Sequence, residues 1–284
     1  MLGLFLAVFA VAQTVLLIDG NGSFSLLQAS ILAILCLLTR WFTHNGGVKP
    51  YRALTGRMIG LQMLMVIVVI VATALEGSLL NHVTPAWARM PLWSNLHDAI
   101  LAKASPHMGF AYANGIARLV MFCVPIAAVL LLLGVPLAQQ GLGRFRRGSV
   151  ASGIAWILPM LCIFSVLILS GRVSFRYVLR VWLGNLLQDG VSEEFLWRGA
   201  ILGRLRAVMS SEHALYLQAL LFGLWHVGLL FSTFKGNLPG LFAEVIVDQT
   251  TFGLAMGYIT LRTGNIAIGS VFHLLLDSAG PFLG

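Results

Sequence analysis

Apolar residues gather in long blocks along this 284-residue chain, separated by short polar or glycine- and proline-containing breaks. Blocks near the ~20 residues that a helix needs to cross a hydrocarbon core recur from end to end. In the first half they cover residues 1 to 18, about 24 to 39, 58 to 75, 116 to 138 and 150 to 170. In the second they cover about 191 to 206, 212 to 231, 241 to 261 and 265 to 283. The short alternating segments of a membrane β-barrel are missing. The pattern predicts an all-α, polytopic integral membrane protein with eight or nine transmembrane helices. Between residues 171 and 190 it changes: Arg172, Arg176 and Arg180 recur at helical spacing beside Phe175, Val178 and Trp182, as in an amphipathic helix lying in the interface. The tight "RTGN" at 262 to 265 joins the last two blocks as a helix hairpin. No repeat or long linker intervenes, so one continuous membrane domain is expected. Residues 1–170 form N-terminal helices without an assignable motif, and residues 171–284 carry the chemistry.

Composition agrees with this pattern: 58% of residues are hydrophobic and 10% charged, with a mean hydropathy of +0.90, far from an ordinary soluble domain. The net charge of +8 comes from Lys and Arg that sit largely in the breaks, where loops on the cytoplasmic side of a membrane collect them. It is read as topology, and nucleic acid is not an expected partner. Arg40, Lys49, Arg52 and Arg57, and the "GRFRRG" at 143 to 148, mark two such loops. The nearly charge-balanced stretch from Glu76 to about Gly115, with Pro85, Trp87, Pro91 and Trp93, reads as an outside loop with an interfacial helix. By alternation Arg172, Arg176 and Arg180 fall outside, against the positive-inside rule; either one upstream block does not cross or this helix lies along the surface. Cys36, Cys123 and Cys162 lie inside apolar blocks without metal-type spacing and read as core residues. The first block holds an "AVA" but no Lys or Arg before it, which favours a retained helix over a cleaved signal.

The ionisable residues inside the last blocks are few, and each costs about 2.5–3.5 kcal/mol at the bilayer centre. They are Glu193, Glu194 and Arg198; His226; Glu244 and Asp248; His273 and Asp277. On a helix Glu194 and Arg198 share a face at i,i+4, whereas Glu193 is turned about 100° away and lacks that partner. Phe222 and His226 are i,i+4, so the phenyl ring can orient the imidazole; His273 and Asp277 are i,i+4 as well. Taken one at a time, these are an interfacial ion pair, a satisfied core histidine and a hydrogen-bonded pair locking helices. Taken together, they hold what is needed to bind and deprotonate a water. Glu244 and Asp248 keep open another class, a non-catalytic scaffold or proton-coupled transporter.

The segments "EEFLWR" (193 to 198), "FGLWH" (222 to 226) and "HLLLD" (273 to 277) resemble, in order and spacing, the E-E-x-x-x-R, F-x-x-x-H and H-x-x-x-N/D motifs of the CPBP family, the CAAX-processing and bacteriocin-processing membrane proteases. The likeness covers about residues 191 to 278. It implies a protease core in 171–284 that hydrolyses a peptide bond of a membrane-anchored or lipidated protein or peptide at the bilayer. Glu193 would be the general base, His226 its partner, and Glu194 with Arg198 an orienting ion pair beside Phe222. His273 and Asp277 would serve the oxyanion or the water; many members have Asn at the Asp277 position, and an ionised Asp only accepts hydrogen bonds, so Asp277 is expected to orient His273. The resemblance leaves the cofactor open between none and a zinc held by His226, His273 and Glu193; H-E-x-x-H is missing, which favours none. A bacterial inner membrane is the expected location.

Overall fold

The computed structural model describes residues 1–20, 22–44, 56–80 and 91–283. Lys49, Arg52, Pro85 and Trp87, on which part of the loop reading rested, lie outside the described residues. Those described are almost entirely helical, with no strand among them. The helices are α1 (Leu2–Ile18), α2 (Gly22–Phe42), α3 (Gly56–Leu80), α4 (Pro91–Met108), α5 (Phe110–Leu132), α6 (Ser149–Leu169), α7 (residues 175–208), α8 (Ser211–Trp225), α9 (Val227–Phe234), α10 (residues 238–263) and α11 (Ala267–Leu283).

Four of these have the length and apolar composition to cross a membrane, within α2, α3, α5 and α6; α8 with α9, bent by 47° at His226, makes a fifth. The chain is an integral membrane protein, but eight or nine spans are not reached by this measure. Helices α1 and α11 fall short on length, and α7 and α10 carry ionisable groups. Helix α7 bears Glu193, Glu194, Arg198 and Arg204, yet every residue from 192 to 205 is buried. Such a helix meets protein rather than lipid, so its outer surface need not be apolar.

The expected boundary between an amphipathic helix ending near 190 and a separate span from 191 is not observed: α7 runs without interruption. It does so through wide turns of π geometry at Leu186–Val191 and Phe195–Ile201, flanking one α turn at Ser192–Glu194. Similar turns occur at Leu119–Cys123 in α5 and Val245–Thr250 in α10. In α5 the wide turn ends just before Pro125, which has no N–H to give to the preceding turn. In α7 and α10, hydroxyls reach back five residues: Ser192 Oγ donates to Leu187 O at 2.5 Å and Thr250 Oγ1 to Val245 O at 2.8 Å.

Two compact units divide the chain. The first comprises Met1–Leu37, Tyr51–Ser94 and Ile201–Tyr258. Here Ala12 and Leu16 of α1 pack on Ala243 and Val247 of α10. Arg204, fully buried, donates to Gln62 Oε1 of α3 at 3.1 Å. The second comprises Leu38–Pro50, Asn95–Ala200 and Ile259–Gly284. Here α11 lies along α6 and α7: the Trp156 ring meets Phe272 edge-on at 4.9 Å, and Asn185 Nδ2 donates to Ser278 Oγ at 3.1 Å. The hairpin between α10 and α11 is present as a turn, closed by Asn265 Nδ2 donating to Gly143 O at 2.5 Å.

Candidate active site

Two glycines let the neighbours of α7 come close in the second unit. A Cβ on Gly190 would lie 2.7 Å from Ser270 O, so only a bare Cα admits α11 at this crossing; a Cβ on Gly115 would lie 2.9 Å from Leu187 Cβ. Small residues at crossings are how membrane helices gain close packing. Just past these two approaches, on the α turn of α7, stand both glutamates.

Glu194 is fully buried; its Oε1 lies 2.9 Å from Arg198 Nη1 as an ion pair and faces His273 Nδ1 at 3.0 Å in a hydrogen bond. The i,i+4 pair read from the sequence is thus in place, and the same oxygen also ties α7 to α11. His273 Nε2 faces Asp277 Oδ2 at 3.3 Å, one turn further along α11. Both ring nitrogens of His273 therefore point at carboxylate oxygens, and both bonds are made only when both nitrogens carry a proton. The Asp277 side chain, at 37% relative exposure, is the most open member of the group, against 6% for Glu193.

Glu193, which the helical spacing leaves without a partner, has one. Its Oε1 lies 3.3 Å from Nη1 of Arg118 on α5, and the same Nη1 is 3.0 Å from Asp189 Oδ1. The guanidinium also lies 6.0 Å from the centre of the Phe122 ring, within cation–π reach. Sequence reasoning missed Arg118 and Asp189. A signal was there, since Arg118 is an intramembrane cation within the apolar block read as 116 to 138, and such a residue points to a buried partner.

Phe222 and His226 belong to the first unit. His226 occupies the bend between α8 and α9. Its Nδ1–H donates to Phe222 O at 2.8 Å, which makes Nε2 the basic nitrogen of the neutral ring. The Phe222 and Trp225 rings flank it at 4.6 and 5.0 Å between centroids. The expected orienting contact of Phe222 is therefore made by both its ring and its carbonyl. In the same unit Asp248 accepts from Gln28 and from Gln249, and Glu244 stands one turn before it, half-buried.

A zinc ion would call on His226, His273 and Glu193 as ligands. Among the described residues no group of three or more His, Cys, Asp or Glu stands so as to hold a metal ion. His273 would have to give up a carboxylate partner to offer a nitrogen, whereas zinc-binding histidines keep one nitrogen for the metal and the other for an outer partner.

Residues 175–279 match the family model described as Rce1-like, Type II CAAX prenyl endopeptidase Rce1-like, in agreement with the resemblance to the CPBP proteases. No curated protein and no solved structure matches the chain.

Proposed function

We propose that this chain is an intramembrane endopeptidase that cuts membrane-anchored or lipidated polypeptides with a water activated by Glu193. The observation that carries the reading is the pairing of two adjacent glutamates with unlike surroundings. Glu194 lies between Arg198 and His273 at 2.9 and 3.0 Å, while Glu193 meets Arg118 at the longer 3.3 Å. One is fixed as structure and the other is placed for chemistry.

The Glu193 carboxylate takes a proton from water as the water oxygen bonds to the scissile carbonyl carbon. The tetrahedral oxyanion is met by the Nε2–H of His273, which exchanges its contact with Asp277 for the substrate oxygen. The C–N bond then breaks, and the proton held by Glu193 passes to the leaving amine, so peptide and water become acid and amine. His226 takes part in the hydrolysis by virtue of its motif, with Nε2 as its basic nitrogen. The family match favours a prenylated CAAX tail as substrate and supports the peptidase class. This reading routes no step through a metal and puts the protein in a bacterial inner membrane as a polytopic chain.

The test uses the full chain purified in detergent and a peptide library holding farnesylated CAAX peptides, double-glycine leader peptides and C-terminal sorting signals, read by mass spectrometry. The wild type should cleave at one bond. Glu193→Gln should remain in the membrane fraction and lose about 10²–10⁴-fold in rate, the range of a general base; His226→Ala should also lose cleavage. A zinc chelator should leave the wild-type rate unchanged. Full activity in Glu193→Gln would remove the proposed base, and no cleavage of any peptide by folded wild type would favour the scaffold or transporter reading.

A further inference from the structure

The pair Arg118–Asp189 is the part of the second unit that the family motifs do not account for. Arg118 lies on α5, outside the matched segment 175–279. One nitrogen of its guanidinium, Nη1, meets Asp189 at 3.0 Å and Glu193 at 3.3 Å. Asp189 is itself held from behind. Gln188 Nε2 donates to Asp189 Oδ2 at 3.3 Å, Asn114 Nδ2 donates to Gln188 Oε1 at 2.7 Å, and Asn114 Oδ1 faces His97 Nε2 at 3.2 Å. This chain of contacts begins on α4 and ends on the carboxylate of Glu193. Each link has a donor facing an acceptor once His97 carries its proton on Nε2.

A glutamate side chain has three rotatable bonds, and a buried one takes its direction from the group its carboxylate pairs with, here Arg118. Arg118 cannot swing to follow it, because Asp189 holds the shared nitrogen and the Phe122 ring lies against the guanidinium. The close approach at Gly115, one turn before Arg118 on α5, sets how far the guanidinium reaches toward α7.

We propose that Arg118, anchored by Asp189 and the Gln188–Asn114–His97 chain, is the positioning residue that aims the Glu193 carboxylate at the water it activates. The inference rests on the peptidase reading above and adds to it a residue from the part of the chain that carries no family motif. Arg118 acts through Glu193 and touches no reacting atom.

The experiment measures kcat and KM on whichever peptide of the library the wild type cleaves, for Arg118→Met, Arg118→Lys and Asp189→Asn. Arg118→Met should lower kcat on the order of 100-fold, the scale of a misplaced catalytic group, with KM within about twofold of wild type. Because both carboxylates meet the same nitrogen, a single ammonium can stand in for it, and Arg118→Lys should recover most of kcat. The double variant Arg118→Met with Asp189→Asn should be no slower than Arg118→Met alone, since the two act as one unit. It also removes one acid with the guanidinium, and it carries the same comparison if Arg118→Met does not accumulate in the membrane. Wild-type kcat in Arg118→Met, or a joint loss of kcat and affinity that Lys does not rescue, would overturn the proposal. The variant Glu193→Gln separates the two readings. If it is inactive while Arg118→Met is fully active, the base stands and the positioning role falls. If it is active, or if wild type cleaves nothing, the peptidase reading falls and this inference falls with it.

Discussion

At the scale of single residues, Glu194 carries more structure than its neighbour, because one of its oxygens serves both Arg198 and His273. Arg198 is fully buried, so removing the negative charge leaves a guanidinium with its ion pair broken in a region without water. Breaking such a pair costs about 3–5 kcal/mol. Glu194→Gln is therefore expected to lose thermal stability and membrane accumulation, whereas Glu193→Gln keeps both; unfolding temperatures of the two variants in detergent provide the comparison. The Glu194–Arg198 pair was legible in the sequence because its members stand one helical turn apart. The partner of Glu193 was not: Arg118 is 75 residues away, and spacing carries no information about which distant helix comes alongside. The contact between Glu194 and His273 was hidden for the same reason, although both residues were singled out by their motifs.

At the scale of helices, the blocks of apolar residues located nearly every element, and the bend between α8 and α9 fell at the histidine that had drawn attention for its chemistry. The reading failed at Gly190, taken as a break between an interfacial helix and a span. In α7 this glycine lies in a wide turn and serves as a point of contact, with α11 too near for any side chain. A glycine that permits close approach and one that ends a helix look alike in a sequence. Gly190→Val is expected to push α11 outward and so to separate His273 from Glu194. Cleavage and melting temperature should fall together, in contrast to Arg118→Met, which should affect kcat alone. The wide turns themselves were not legible. They change which residues share a face, and a wheel drawn at 3.6 residues per turn drifts out of phase across them.

At the scale of the whole molecule, hydropathy made the membrane class plain, and among the described residues four to five spans have the length and apolarity of a crossing. Helices α7 and α10 carry the ionisable groups, and α7 is sheltered by protein along residues 192–205, so length and apolarity are poor guides to what such helices do. The motifs pointed to one segment of the chain, and the family match fell on nearly the same stretch, residues 175–279. What the motifs could not show is the contribution of the first half. Asp189, Glu193, Glu194 and Asp277 all lie within the matched segment together with Arg198 and His273, while Arg118 does not. Without Arg118, the cluster around Glu193 and Glu194 would set these four carboxylates against the guanidinium of Arg198 and the imidazole of His273. The excess negative charge would have to be solvated or neutralised before the segment could close around it. The matched segment is therefore a mark of resemblance, and the carboxylate cluster inside it draws one of its cations from a helix that the match leaves out.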